Sequence, residues 1–165
     1  MAASSGMAPR GVMEIEWAFF GELCRALALR VAREYRPDLV LGVAKAGVIP
    51  GAVVASILQC EFASMVVTRE EDDTEPILVS RPPASVRGRH VLIVDETCDT
   101  GSTLKLALSE VRAIGPAEVR TGVSIKTGSY VPDYFAFETE SYIVLPWDRE
   151  IVQNGELVAR PDPRR

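Results

Sequence analysis

The chain has 165 residues, of which 47% are hydrophobic and 25% are charged. This balance is typical of one globular domain and excludes disordered, collagen-like and coiled-coil chains. The formal net charge is −5, whereas nucleic-acid binders and membrane-surface proteins usually present a basic face. We therefore expect neither a nucleic-acid partner nor a membrane partner.

Cysteine and histidine usage limits the chemistry further. The three cysteines are widely spaced and odd in number, so they predict neither a disulfide framework nor a zinc site, and they suit a reducing cytoplasm. His90 is the single histidine, which leaves little for a histidine-based metal centre. No apolar run reaches the roughly 18 residues of a membrane helix.

The domain organisation follows from the composition along the chain. Residues 1–11 are small and polar, lack the apolar core of a secretory signal, and are predicted to form a disordered arm. Residues 12–160 are predicted to form one domain. Residues 161–165, rich in proline and arginine, are predicted to be a frayed tail.

The first half of the domain predicts a β-α-β unit. Apolar residues at steps of three and four predict a helix over Met13–Tyr35. The continuous apolar run Leu39–Ala44 is typical of a buried parallel strand. A helix over Val48–Gln59 and a strand over Phe62–Thr68 are expected to complete the unit.

A long irregular segment, Arg69–Gly88, separates the two halves. Its acidic residues and prolines indicate either a lid over a site or a locally disordered loop. A short strand over Ile77–Ser80 is expected within it.

The second half repeats the β-α-β pattern. It predicts a strand over Val91–Val94, a polar loop over Asp95–Gly101, a helix over Ser102–Ile114 and a strand over Glu118–Lys126. The order predicts an α/β fold with a mostly parallel sheet flanked by helices. From about residue 127 aromatic and turn residues alternate, which indicates a small C-terminal cap, or hood, formed mainly by residues 127–150.

The candidate ligand-binding residues lie in the two loops that follow the first strand of each β-α-β unit, Leu39–Ala44 and Val91–Val94. In open parallel sheets ligands bind at the carboxyl ends of the strands, so both loops are expected at one edge. The backbone N–H groups and hydroxyls of the second loop, at a helix N-terminus, are typical of a site for a phosphate dianion; its residues are Asp99, Thr100, Gly101, Ser102 and Thr103.

Three carboxylates accompany this phosphate site. Asp95 and Glu96 cannot be buried without partners, and hydroxyl donors or a cation would satisfy them. Asp99 could hold a proton beside a bound sugar. The alternative is that Asp99 or Thr100 only caps the helix.

The stretch from Val91 to Thr103 resembles the phosphoribosyl pyrophosphate motif of type I phosphoribosyltransferases, and the resemblance extends over Leu39–Glu150. It implies that Asp95 and Glu96 face the ribose hydroxyls and the associated Mg²⁺. It also implies that residues 99–103 hold the 5-phosphate and that Asp99 assists proton transfer at the base.

A second stretch, Gly42–Gly47, resembles the pyrophosphate loop of the same family. The resemblance assigns pyrophosphate binding to Ala44, Lys45, Ala46 and Gly47, and it implies a cis peptide bond between Ala44 and Lys45. Taken alone, Lys45 in a small-residue loop is equally well explained as a solvated side chain.

The C-terminal part is similar to the 6-oxopurine branch of the family. The resemblance implies that Lys126 donates to the six-position oxygen, that Tyr142 stacks on the purine with backbone contacts from Ile143, and that Asp148 accepts from the two-position substituent. Without the resemblance, Lys126 reads as a snorkelling surface lysine and Tyr142 as ordinary aromatic packing.

The sequence therefore predicts an enzyme that transfers phosphoribose from phosphoribosyl pyrophosphate to hypoxanthine, guanine or xanthine. Mg²⁺ is the expected cofactor and a homodimer the expected assembly, both by resemblance. The alternatives are a regulator that binds phosphoribosyl pyrophosphate without turnover, and a transferase for orotate, adenine or uracil. The Ser-Tyr pair common in the family's lid is not found in Arg69–Gly88. Arg69 or Arg81 could reach the pyrophosphate from this segment, but neither is counted among the predicted site residues.

Overall fold

Three helices and ten strands form the described part of this computed structural model, residues 11–70 and 75–161. The predicted arm and tail lie outside those ranges except for their innermost residues, so both stay predictions. In chain order the elements are β1 (Val12–Glu14), α1 (Trp17–Glu34), β2 (Leu39–Ala44), α2 (Val48–Leu58), β3 (Glu61–Thr68), β4 (Ile77–Ser80), β5 (His90–Cys98), α3 (Ser102–Ile114), β6 (Glu118–Lys126), β7 (Tyr134–Glu138), β8 (Tyr142–Val144), β9 (Glu150–Gln153) and β10 (Glu156–Ala159).

A six-stranded sheet with the order β4-β3-β2-β5-β6-β7 lies at the centre. All its pairs are parallel except β3 with the edge strand β4, which is antiparallel. Alternate residues of the buried strands face opposite sides: Leu41 packs in the cluster with α3, and Val40 in the cluster with α1 and α2. The predicted α/β fold with a mostly parallel sheet is confirmed.

Helix α1 is shorter than predicted. Its apolar stripe is buried at Phe20, Cys24, Leu27 and Val31, as its spacing requires. The predicted start at Met13 is wrong, however, because Val12–Glu14 pair in parallel with β8 and are extended. Periodicity cannot detect a strand whose partner lies more than a hundred residues away.

Strand β5 is longer than predicted. The expected polar loop over Asp95–Gly101 begins four residues late, because β6 continues to pair with β5 as far as Cys98 opposite Lys126. Asp95 and Glu96 are therefore strand residues, and the rigid sheet fixes their backbone.

The C-terminal region is also divided differently. Tyr134–Glu138 is the sixth strand of the central sheet, parallel to β6, and not part of a cap. We use the term hood for β1, β8, the 3-10 helix Pro146–Asp148 and the β9–β10 hairpin. The hood thus draws on both ends of the domain, whereas the sequence placed it mainly in residues 127–150.

The expected strand Ile77–Ser80 is present as β4. The middle of the acidic cluster in the predicted lid, residues 71–74, lies outside the described residues. Within residues 11–70 and 75–161, none of the helices combines the length and apolar character needed to cross a membrane.

Candidate active site

A cavity of about 760 Å³ opens at the carboxyl edge of the sheet, where β5 runs into α3. Predicted ribose, phosphate and base residues share its wall. The residues that line it are Arg69, Glu75, Asp95, Glu96, Thr97, Cys98, Asp99, Thr100, Gly101, Ser102, Thr103, Leu104, Lys105 and Tyr142.

We call residues 99–103 the phosphate loop. Gly101 is the N-cap of α3, with a φ of 77° that favours glycine. The Thr100 hydroxyl accepts a 3.4 Å hydrogen bond from the Ser102 N–H. The N-cap position is thus occupied by Gly101, and Asp99 lies two residues before it and lines the cavity.

Arg69 reaches the phosphate loop from the residue directly after β3. Its guanidinium donates to the Ser102 hydroxyl oxygen and, at 3.1 Å, to the Thr103 hydroxyl oxygen. This adds a positive charge to a loop whose N–H groups already favour an anion. The sequence named both Arg69 and Arg81, and each directly follows a strand. The strand direction separates them: β3 ends at the carboxyl edge of the sheet, whereas the antiparallel β4 runs back from that edge before Arg81.

Asp95 is the buried carboxylate of the site, with 7% of the residue exposed. One of its oxygens accepts a 2.9 Å hydrogen bond from the Glu96 N–H. Burial, and then the neighbouring Glu96 carboxylate, raise the pKa of Asp95, while Arg69 acts in the opposite direction. A bound cation or hydroxyl donors would stabilise the charged form of this carboxylate.

Gly47 joins the two predicted ligand loops. A Cβ built on Gly47 would lie 2.5 Å from the Val43 carbonyl oxygen and 2.8 Å from a carboxylate oxygen of Asp95. These distances confirm that the loop after β2 and the end of β5 meet at one edge. The Ala44–Lys45 peptide bond is cis, as the resemblance implied, and the Lys45 side chain is exposed.

The predicted base residues are divided between two places. Tyr142, 36% exposed, lines both the first cavity and a second one of about 920 Å³ at the hood. Ile143 and Asp148 line the second cavity, where an Asp148 carboxylate oxygen lies 3.7 Å from the Arg160 guanidinium.

Lys126 is not among the described residues that line either cavity. Its side chain is 9% exposed, and its ammonium forms an ion pair with Glu138 on the neighbouring strand. It is thus a buried, paired lysine rather than a snorkelling one.

Comparison with known proteins decides the family. The model of the phosphoribosyl transferase domain matches residues 16–155, which is most of the chain. The chain belongs to the phosphoribosyltransferase family. The resemblance of residues 91–103 to this family, and the prediction of a phosphoribosyltransferase enzyme that follows from it, are confirmed.

Individual relatives agree with this assignment. A purine phosphoribosyltransferase structure from Pyrococcus horikoshii superimposes with a TM-score of 0.76 and 31% identity, covering 88% of this chain and 99% of that chain. A xanthine-guanine phosphoribosyltransferase from Nitratidesulfovibrio vulgaris is 26% identical over 160 residues, or 92% of this chain and 94% of that one. The transcriptional regulator GfcR from Halobacterium salinarum is 29% identical over 135 residues, or 74% of this chain and 63% of that one.

Proposed function

We propose that this transferase moves phosphoribose from phosphoribosyl pyrophosphate to a 6-oxopurine, giving a nucleoside monophosphate and pyrophosphate. The observation that carries the proposal is the shared cavity, in which the phosphate loop, the pair Asp95–Glu96 and the aromatic ring of Tyr142 line one space. The similarity to the xanthine-guanine and purine enzymes supports a purine as acceptor.

The phosphate loop supplies the donors for the 5-phosphate. The first-turn N–H groups of α3 and the hydroxyls of Ser102 and Thr103 surround a position that the α3 dipole makes favourable for an anion. The Arg69 guanidinium, already bonded to both hydroxyls, adds a charge at the same position. The loop 44–47 is proposed to hold the pyrophosphate, because it meets Asp95 across Gly47 and exposes the charge of Lys45.

Magnesium fits the oxygen donors of Asp95 and Glu96, since carboxylate oxygens are ligands that this ion prefers. In residues 11–70 and 75–161 no group of three or more metal-ligating side chains occurs. We therefore propose that these two carboxylates hold Mg²⁺ only together with substrate oxygens and water. The ion would neutralise charge on the departing pyrophosphate.

Catalysis in this proposal comes from positioning and charge. Breaking the bond to pyrophosphate leaves positive charge on the ribose. The carboxylates of Asp95 and Glu96, which line the cavity beside the phosphate loop, are proposed to stabilise this charge. Asp99, exposed at the cavity wall, is proposed to hold the proton of the purine ring nitrogen. The sheet and the helix start fix these groups before substrate binds.

The base is proposed to lie against Tyr142, between the phosphate loop and the hood. Ile143 would contribute backbone groups and Asp148 would accept from the two-position substituent. Lys126 would donate to the six-position oxygen while its ion pair with Glu138 keeps it charged. An ammonium carries three donors, so one partner does not exhaust it.

The test is an incubation with Mg²⁺, phosphoribosyl pyrophosphate and one base at a time, with nucleotide and pyrophosphate both quantified. Hypoxanthine, guanine and xanthine form the expected group; adenine, orotate and uracil form the comparison. We expect equal amounts of nucleotide and pyrophosphate with at least one 6-oxopurine. Turnover confined to the comparison bases would overturn the proposed acceptor.

A binding module without turnover is the second candidate, and the similarity to the regulator GfcR favours it. It would bind phosphoribosyl pyrophosphate at the same phosphate loop. Calorimetric titration with phosphoribosyl pyrophosphate, run beside the turnover assay, separates the two: binding without turnover for any base supports the regulator.

We also retain the homodimer and the cytoplasm as proposals. Helix α2 is mostly apolar, and its Val53 and Ile57 remain 40% and 44% exposed on one face, which supports an interface with a second copy. Light scattering after gel filtration measures the assembly.

The three cysteines are unpaired, which suits a reducing compartment such as the cytoplasm.

A further inference from the structure

The segment of residues 127–130, directly after β6, is bonded along the start of the phosphate loop. The Thr127 N–H and hydroxyl donate to the Cys98 carbonyl oxygen at 2.8 and 3.3 Å. The Tyr130 N–H donates to the Asp99 carbonyl oxygen at 3.3 Å. These bonds tie the segment after β6, whose last residue is Lys126, to the last residue of β5 and to Asp99, which follows it.

Gly128 lies directly against Asp99. A Cβ built on Gly128 would overlap a carboxylate oxygen of Asp99, and it would lie 2.5 Å from the Asp99 carbonyl oxygen and 2.7 Å from the carbonyl carbon. Because ordinary contacts begin at 3.4 Å, any side chain at this position forces the Asp99 backbone to move by roughly 1 Å. The Asp99 carboxylate can therefore occupy this position only because residue 128 is a glycine.

Tyr130 packs on Gly101, the middle residue of the phosphate loop. Its ring covers Gly101 so closely that a Cβ there would overlap the Cγ of the ring and lie 2.5 and 2.6 Å from the two Cδ atoms. The Lys105 ammonium, from the first turn of α3, lies 5.2 Å from the centre of the same ring. The ring thus packs on the turn whose N–H groups would face the 5-phosphate.

We propose that Gly128 and Tyr130 are positioning residues of this site: Gly128 places the Asp99 carboxylate, and the Tyr130 ring holds the phosphate loop at Gly101. The inference rests on the proposed function, since it acts through groups assigned there. It also gives the two residues different effects: Gly128 acts on the rate of the chemical step, and Tyr130 acts on the affinity for phosphoribosyl pyrophosphate.

The first test compares Gly128→Ala with the matched control Gly21→Ala, whose added Cβ meets nothing within 4 Å. A displacement of about 1 Å at a reacting group can cost on the order of a hundredfold in rate. We expect Gly128→Ala to lower kcat about ten- to a hundredfold while the KM for phosphoribosyl pyrophosphate changes less than about threefold. Gly21→Ala should keep the wild-type kcat, and melting curves verify that both variants fold.

A double-mutant cycle with Asp99→Asn shows whether the effect passes through Asp99. If Gly128 only places that carboxylate, Gly128→Ala should cost little once Asp99 is Asn, because the group it places has already lost its function. Multiplicative losses in the double variant would overturn the role of Gly128.

The second test replaces the ring. Tyr130→Ala should raise the KM for phosphoribosyl pyrophosphate about tenfold, and Tyr130→Phe, which keeps the ring, should recover most of that affinity. Equal losses in the two variants would overturn the role of the ring. Failure of the proposed function looks different, because the wild-type protein itself would then form no 6-oxopurine nucleotide.

Discussion

The ion pair between Lys126 and Glu138 leads to a stability prediction in which the size of the loss depends on which partner is removed. The Lys126 side chain is 9% exposed and that of Glu138 is 56% exposed. Replacing Glu138 by Gln leaves an ammonium nearly buried beside a neutral amide. Replacing Lys126 by Met keeps the apolar stem and leaves a carboxylate that water can solvate.

The expected magnitudes follow from this asymmetry. Leaving a fully buried charge unpaired costs about 3–5 kcal/mol, and a surface pair contributes about 0–1 kcal/mol. Because Glu138 is more than half exposed, its carboxylate is screened, and we expect Glu138→Gln to lower the free energy of unfolding by about 1–2 kcal/mol. Lys126→Met should lower it by less than about 1 kcal/mol.

Urea unfolding of both variants and the double variant measures these values, with unchanged m required for the comparison. Glu140→Gln, an exposed carboxylate two residues further on, is the control and should stay within about 0.5 kcal/mol of wild type. If Lys126→Met destabilises the protein as much as Glu138→Gln, the burial asymmetry does not govern the pair and the reasoning is refuted.

Lys126→Met also tests the proposed contact of Lys126 with the purine base. If Lys126 donates to the six-position oxygen, Lys126→Met should weaken 6-oxopurine binding about ten- to a hundredfold, the value of a lost charge-assisted hydrogen bond. Binding of phosphoribosyl pyrophosphate should not change. Equal weakening of both ligands would mean that the lysine supports the fold or the pyrophosphate site instead.

Three further predictions concern single side chains. Asp99→Asn should lower turnover about 10²–10⁴-fold with little change in affinity for phosphoribosyl pyrophosphate, and an unaffected steady-state rate would contradict its proposed role. In Gly47→Ala the added Cβ would meet the Val43 carbonyl oxygen and Asp95 within 2.8 Å. This variant should lower kcat/KM for phosphoribosyl pyrophosphate about a hundredfold and the free energy of unfolding by about 1–3 kcal/mol. Wild-type kinetics would show that the site does not need the close contact between the loop after β2 and Asp95. The His90 N–H and ring hold the pKa of Asp38 below its usual value. The Asp38 carboxylate therefore stabilises the fold above about pH 4, and this stabilisation is lost as the pH falls through the lowered pKa. Asp38→Asn should lower the melting temperature at neutral pH but not in strong acid; an equal drop at both pH values would contradict this prediction.

The parts of the fold that could be predicted are those written in one continuous stretch of sequence. Leu39–Ala44 is an apolar run that needs no distant partner to be recognised. Glu118–Lys126 is recognised because it follows the helix stop at Gly115 and Pro116 in the β-α-β order, and the two stretches match β2 and β6. The phosphate loop is equally local, because a strand, a turn and a helix start follow one another within a few residues.

The parts that could not be predicted depend on distant pairing. Strand β1 is extended only because β8 lies beside it, and β5 continues through Asp95 and Glu96 only because β6 continues with it. The contacts of Arg69 with the phosphate loop and the pairing of Lys126 with Glu138 likewise follow from which strands are neighbours. No local propensity encodes those neighbours.

The pairing of β1 with β8 also bears on the order in which the protein becomes able to bind its ligands. Val12 and Tyr142 are partners across about 130 residues of chain, so this contact closes the longest loop of any strand pairing in residues 11–70 and 75–161 and costs more chain entropy than the short β-α-β connections. Arg149 fastens the same junction through Glu14 and Glu16, all at the surface. We therefore expect the hood, where the base is proposed to bind, to form after the phosphate loop and to open before it. Amide hydrogens of β1 and β8 should then exchange by a local opening, while those of β2 and β5 exchange only through global unfolding.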